Sequence, residues 1–200
     1  LVVVARDSIF ELKSYLVFCQ VLRQRGLRVV VLIQSRSMTR SVRYASALGA
    51  DKLLFRTTLV HENPQRYRDR ERIAKGLVAN LESANDLKAV VHGDSEVGRH
   101  VFASAARELL IGSPDPNDPQ VRPVVERLMV EAVTSVELGS HLNELISPEF
   151  VVLEEANYAS SGPLVDTLTT SGTQVLQVVQ AGDGGWIWTR LQKGARKLHP

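Results

Sequence analysis

The chain has 200 residues, enough for one or two domains, and its composition favours one compact domain. Hydrophobic residues make up 44% of it and charged residues 23%, which excludes a disordered chain and a collagen-like one. The longest apolar run, residues 29–33, falls far short of the roughly 20 residues that cross a bilayer. Because Leu1 already belongs to a strand-like run, we expect the chain to be a segment of a longer protein.

The net charge of +2 conceals an uneven distribution. Residues 1–76 contain 15 Lys and Arg against 6 Asp and Glu, and residues 77–189 contain 5 against 16. Residues 190–200 add 4 basic side chains and no acidic one. The basic N-terminal region can meet anionic lipid headgroups, or it can be a solvated face that pairs with the acidic half. No basic run is interleaved with aromatic residues, so we predict no nucleic-acid partner and leave peripheral membrane contact open.

The only cysteine, Cys19, rules out an internal disulfide and a cysteine-rich zinc site. It falls on the apolar face of a predicted helix, so we expect a buried, unreactive thiol. His92 and His100 lie close together in sequence, but no third ligand stands at a standard metal-binding spacing. A helix capped by Asp94 or Ser95 explains this stretch better, and we predict no bound metal or other cofactor.

The first third of the chain predicts strands that alternate with helices. Apolar, β-branched runs at residues 1–5, 28–33 and 53–55 are typical of strands buried on both faces of a parallel sheet. Gly26 and Gly49 end the two intervening segments, in which apolar residues recur every three or four positions as in amphipathic helices. Such alternation favours a doubly wound α/β sheet.

The middle of the chain predicts a largely helical excursion over about residues 66–146, interrupted by a proline-rich loop at 113–119. The sheet then resumes with a strand at 150–153, a helix that begins near Gly162, and a strand at 175–179. We therefore predict one domain over residues 1–200, with a Rossmann-like, doubly wound and mainly parallel sheet.

Ligands of an open parallel sheet bind beyond the carboxyl ends of its strands. That rule selects four loops, which cover residues 6–10, 34–39, 154–162 and 180–188. No G-x-S-x-G, Walker A or early G-x-G-x-x-G pattern is present, which argues against a serine hydrolase, a P-loop enzyme and a dinucleotide site.

The loop at 154–162 carries the most chemistry. Glu154 and Glu155 leave a strand and can accept a proton from a hydroxyl nucleophile. The helix that follows presents free N–H groups, which can hold a phosphate or a sugar hydroxyl. In the last loop, Trp186 and Trp188 lie on one side of an extended segment, where indole rings stack on sugars or pack in a core.

Two segments resemble bacterial glycosyltransferases that build surface and capsular polysaccharides. Residues 92–101, HGDSEVGRHV, resemble the (Y/R)G-(D/V)-x-x-G-x-x-V element of that group. Residues 151–164, VVLEEANYASSGPL, resemble its strand–loop–helix with an acidic residue, a tyrosine and Gly-Pro/Ala-Leu. The closing residues 198–200 are similar to the point at which such chains cross to a second domain. The resemblance is to the N-terminal, acceptor-side half of a GT-B glycosyltransferase.

The resemblance implies two Rossmann-like domains around a cleft, with the nucleotide-sugar bound by a C-terminal domain that lies outside this sequence. It implies Glu154, Glu155 or Asp7 as the catalytic base and no metal. The substrate-binding residues that we predict from the resemblance and from the loops above are Arg6, Ser8, Asn157, Tyr158, Ser161, Gly162, Asp183 and Trp186. The glycine-rich loop that many such enzymes have after the first strand is missing here.

The expected function is sugar transfer from a nucleotide-sugar to a glycan or lipid-linked acceptor, in the cytoplasm or at the inner face of the membrane. The isolated segment is expected to fold without turning over substrate. Two alternatives stay open at this point: a non-catalytic Rossmann-like module that binds a sugar or nucleotide, and half of a nucleotide-sugar epimerase.

Overall fold

A computed structural model describes residues 2–5, 19–34, 49–180 and 185–192. Six strands form one sheet in the order β3-β2-β1-β4-β5-β6. The first five strands run parallel, and β6 pairs antiparallel with β5 at the edge. With helices packed against this sheet, the chain is an α/β protein, as predicted. The strands are β1 Val2–Ala5, β2 Val30–Ile33, β3 Lys52–Phe55, β4 Phe150–Leu153, β5 Gln174–Gln180 and β6 Trp186–Leu191.

Strand β2 is buried on both of its faces, as its continuous apolar run predicts. All four residues of β2 are buried. Val30 and Leu32 belong to one cluster of buried residues, which includes Leu138 and Leu164 from helices late in the chain. Val31 and Ile33 belong to a second cluster on the opposite face, which includes Cys19. The predicted burial of the Cys19 thiol is thereby confirmed.

Seven helices lie in the described part of the chain besides the helical residues 19–24. Six of them lie between β3 and β4, and the first begins directly after β3. The helical excursion therefore begins at Arg56 rather than at residue 66. The first of these was missed because its seven residues include adjacent threonines, which are poor helix formers, and show no apolar period. The helices are α1 Arg56–Glu62, α2 Pro64–Tyr67, α3 Arg70–Val78, α4 Ala84–Ala89, α5 Val97–Leu109, α6 Arg122–Ile146 and α7 Gly162–Thr170.

The 25-residue helix α6 joins the excursion to the sheet. Its N-terminal half packs with α3, α4 and α5 in a core of their own, which includes Val125 and Met129. Its C-terminal half places Leu138 and Leu142 in the core beneath the sheet. Helix α6 therefore contributes to both cores and joins the excursion to the sheet.

Several predicted features fall outside the described residues. They are the N-terminal part of the first helix, the second helix before Gly49 and the closing residues 198–200. The predicted helix start at 162–163 is confirmed, with Pro163 in the first turn of α7. Gly172 follows the end of α7 with a φ of +90°, which only glycine adopts readily.

Candidate functional site

The loop over residues 154–161, between β4 and α7, occupies the place where the strand order reverses. β1 lies between β2 and β4, so the chain leaves β1 toward one side of the sheet and returns to its other side at β4. Ligands of open α/β sheets bind in the crevice at such a point. Strand β1 ends at Ala5, and the predicted residues Arg6, Asp7 and Ser8 lie outside the described residues.

Glu155 is held by a residue of α5. The Arg107 Nη1 atom donates a hydrogen bond to Glu155 Oε1 at 2.9 Å, and this bond is the main cause of a raised Arg107 pKa. The guanidinium group also lies 4.8 Å from the centre of the Tyr158 ring, within cation–π range. The Glu155 side chain is only 11% exposed, whereas that of Arg107 is 57% exposed. Three side chains thus form one cluster on the loop.

Glu154 begins the loop at a fixed position. Its carbonyl oxygen accepts a hydrogen bond of 2.9 Å from Nε2 of Gln177, a fully buried residue of the neighbouring strand β5. A buried amide requires a partner, and the first turn of the loop supplies one. The backbone of Glu154 is therefore held to the sheet.

A polar cluster beneath the loop joins His100 of α5 to Asp166 of α7. The His100 Nε2 atom lies 2.9 Å from Asp166 Oδ2, and Nδ1 lies 3.1 Å from the carbonyl oxygen of Asn157. The Asn157 carbonyl oxygen and the Asp166 carboxylate can each accept a hydrogen bond from the ring. The Ser95 hydroxyl donates a third bond, of 2.8 Å, to the same Asp166 oxygen. The cluster fixes Asn157 relative to both helices.

This cluster corrects the predicted cap of α5. The residue that precedes the helix is Glu96, and no side chain caps it, so Asp94 and Ser95 do not have the predicted role. Ser95 is fully buried and uses its hydroxyl on Asp166 instead, a partner 71 positions away in sequence. No local pattern indicates such a contact.

The His100 ring packs directly against Gly162, the first residue of α7. A Cβ atom at this position would lie 2.6 Å from the Cγ atom of His100 and closer still to two other ring atoms. Real Cβ atoms essentially never come within 3.0 Å of another atom in this way. Gly162, which the sequence indicates as the start of a helix, therefore also leaves the space that the imidazole ring occupies.

A second polar cluster holds the far end of the loop. Arg56 Nη1 donates to the carbonyl oxygen of Ser160 at 2.8 Å, and Nη2 reaches Ser135 Oγ at 3.1 Å. The Ser135 hydroxyl lies within 2.9–3.0 Å of the carbonyl oxygens of Glu131, Ala159 and Ser160, and with its one proton it donates to one of them at a time. Burial lowers the Arg56 pKa. Sequence reasoning missed this arginine, although it directly follows strand β3.

The predicted binding residues of the loop differ in exposure. Asn157 and Tyr158 are partly exposed, whereas Ser161 and Gly162 are buried. The Ser161 hydroxyl is buried without a hydrogen-bond partner in the described part of the chain. The loop thus presents Asn157 and Tyr158 outward and keeps Ser161 inside.

The last predicted loop is only partly described. Asp183 and the side chain of Trp186 lie outside the described residues, although the backbone of Trp186 begins β6 opposite Gln180. Trp188 is 46% exposed on the same edge strand. The prediction that the two tryptophans share one face involves the Trp186 side chain and so falls outside the described residues.

Neither a metal-binding group nor a membrane-spanning helix occurs among the described residues, and the comparisons found no protein similar to the chain. Among the described residues, no group of three His, Cys, Asp or Glu side chains comes together in a way that could hold a metal. None of the described helices combines the length and apolar character needed to cross a membrane. Comparisons with protein-family models, with curated proteins and with solved structures found nothing similar to this chain.

Proposed function

We propose that the chain is the acceptor-side domain of a GT-B glycosyltransferase and that its sheet is of the Rossmann-like, doubly wound type. The strand order β3-β2-β1-β4-β5-β6 supports this proposal because it matches the usual order of Rossmann-like sheets. The buried clusters on both sides of β2 support it as well. The antiparallel β6 is compatible with it, since mixed sheets with such an edge strand are common.

The observation that carries the proposal is the contact between the two segments that resemble glycosyltransferases. They are separated by about fifty residues in sequence, yet His100 of the first reaches the Asn157 carbonyl oxygen of the second. Ser104, just beyond the first segment, accepts a hydrogen bond of 2.8 Å from the backbone N–H of Ala159. The two segments therefore form one unit at the carboxyl edge of the sheet.

In this proposal, a carboxylate takes the proton from the acceptor hydroxyl. The acceptor oxygen forms a bond to the anomeric carbon of the donor sugar while the bond from that carbon to the phosphate oxygen breaks, and a nucleoside diphosphate leaves with the electron pair. Glu154, Glu155 and Asp7 are the candidate bases. Glu155 is bound by Arg107, whose guanidinium group also lies against the Tyr158 ring, so in this proposal Glu155 can also help to orient Tyr158 against the acceptor. We place the reaction in the cytoplasm, with a nucleotide-sugar as donor and a glycan or lipid-linked acceptor.

The test measures nucleoside diphosphate released by the full-length protein from a panel of nucleotide-sugars with saccharide acceptors. If Glu154 is the base, Glu154→Gln should lower turnover by about a hundredfold or more. Glu149→Gln is the matched control, because Glu149 is exposed and stands just before β4, at the opposite edge of the sheet. Full activity of Glu154→Gln would transfer the role to Asp7 or Glu155. If no nucleotide-sugar is consumed, the proposal fails, and the chain is better described as a binding module.

A further inference from the structure

An open groove lies beside the candidate site, on the β2–β3 side of the sheet. It has a volume of about 730 Å³ and runs between α1–α3 and the N-terminal half of α6. Two of its lining residues, Gln34 and Arg56, directly follow the carboxyl ends of β2 and β3. The groove thus meets the general rule for ligand sites in α/β sheets. Its size falls within the roughly 300–1,000 Å³ of small-molecule pockets.

Basic side chains outnumber acidic ones in the lining of this groove. Arg68 and Arg127 already have carboxylate partners, Asp69 and Glu108 respectively. Arg70 has no ion pair or hydrogen bond through its side chain within the described part of the chain. The charged or titratable lining residues are Arg56, His61, Tyr67, Arg68, Arg70, Glu71, Arg127 and Glu131.

Arg56 is a buried cation without a paired carboxylate in the described part of the chain. It is 9% exposed, and its partners are two carbonyl oxygens and one hydroxyl. A guanidinium group has five N–H donors, so two are left after these three hydrogen bonds. Its pKa is lowered mainly by burial and further by the positive charge of Arg70, while Glu131 offsets this only in part. A buried charge is costly unless an opposite charge accompanies it.

We propose that this groove binds a soluble, phosphate-bearing anion between Arg56 and Arg70. The planar guanidinium group matches the spacing of phosphate oxygens and binds them bidentately. Such an anion adds negative charge beside the two arginines, whose charge the Glu71 and Glu131 carboxylates of the same lining do not match with an ion pair among the described residues. The inference depends on the groove alone and does not require the proposed glycosyl transfer.

The test is a calorimetric titration of this chain with inorganic phosphate and with pyrophosphate at constant ionic strength. We compare Arg70→Gln with Arg72→Gln, which removes the same charge from the same helix at a residue outside the groove lining. Arg72 is 74% exposed and pairs with Asp69. We expect saturable pyrophosphate binding. Arg70→Gln should weaken the affinity about tenfold, which corresponds to the loss of one charged hydrogen bond. Arg72→Gln should leave the affinity within twofold of the unsubstituted chain. Arg56 is not substituted, because it also holds the loop.

Circular dichroism and thermal unfolding confirm first that both variants keep the fold. The proposal is overturned if pyrophosphate gives no saturable binding at millimolar concentration, or if both variants weaken binding equally. A second arm separates free phosphate from lipid headgroups by sedimentation with phosphatidylglycerol and phosphatidylcholine vesicles. Binding to phosphatidylglycerol vesicles that pyrophosphate does not compete away would also overturn the proposal. Loss of glycosyl transfer in the earlier test leaves these outcomes unaffected, because no turnover is measured here.

Discussion

Replacement of Gly162 by alanine is the sharpest test of the polar cluster beneath the loop. The added methyl group would lie 2.6 Å from the Cγ atom of His100 and nearer to two other ring atoms. The ring has little freedom to retreat, because Asp166 and Asn157 hold its two nitrogen atoms. We therefore expect the substitution to displace the ring and to break at least one of these hydrogen bonds.

The magnitude follows from three contributions. A hydrogen bond to a charged group contributes about 1.5–3 kcal/mol, and an overpacked methyl group costs about 1–3 kcal/mol. Alanine in place of glycine in a helix offsets this by roughly 0.5–1 kcal/mol. The expected loss in the free energy of unfolding is about 1.5–5.5 kcal/mol. For a chain of this size that loss lowers Tm by about 3–22 °C.

Urea unfolding followed by circular dichroism measures this loss. Gly76→Ala is the matched control, because Gly76 is exposed within α3 and a Cβ there would meet nothing within 4 Å. We expect that control to be neutral or stabilising. A double-mutant cycle with His100→Ala isolates the clash, since Gly162→Ala should cost much less once the ring is absent. An equal cost in both backgrounds would refute the packing that we describe.

Three further predictions concern Gly98, Cys19 and His141. Gly98→Ala should destabilise the protein by at least about 2 kcal/mol, because the added Cβ would lie 2.9 Å from the Leu87 carbonyl carbon and closer to its oxygen. An unchanged midpoint of urea unfolding would contradict this. Burial raises the Cys19 pKa from 9.0 to about 11, so alkylation of the folded protein by iodoacetamide should be about a hundredfold slower than in urea, as mass spectrometry can follow. Burial and the charge of Arg66 lower the His141 pKa from 6.5 in the folded chain. As pH falls, His141 therefore binds a proton in the unfolded chain at a higher pH than in the folded chain. Stability should then drop as pH falls below about 6.5 and through the folded value, and His141→Gln should flatten that dependence; an unchanged pH profile of the urea midpoint would count against it.

The sheet could be predicted because its signals are local. Runs such as residues 30–33 are apolar without interruption, which is the pattern of a strand covered on both faces. The glycines at 26 and 172 mark chain reversals that require a positive φ. Helix α1 gave no such signal, since seven residues with adjacent threonines form a helix here only through packing, with Leu59 in the core beneath the sheet.

The loop of the candidate site could be found from the sequence, but its partners could not. Glu154 and Glu155 follow a buried strand, and the rule for open sheets directs attention there. Arg107, His100 and Arg56 come from the helical excursion, at distances of about 50–100 residues in sequence. Their contacts depend on how α5 and α6 pack against α7, which no single pattern in the chain specifies.

These partners explain why a helical excursion is inserted between β3 and β4. Helix α5 holds one side of the loop through His100 and Ser104, and α6 holds the other through Ser135. Arg56, the first residue after β3, donates to the carbonyl oxygen of Ser160, which Ser135 also reaches. With the bond from Gln177 to Glu154, the loop has its backbone bound at four residues. Such a loop loses little further entropy when it orders a substrate, which is the advantage of a preorganised site. Because the same arginine also borders the cationic groove, an anion bound there would stabilise the very contact that fixes Ser160. Ligand binding in the groove should therefore reduce amide hydrogen exchange in the loop, and an exchange pattern unchanged by saturating pyrophosphate would separate the two sites.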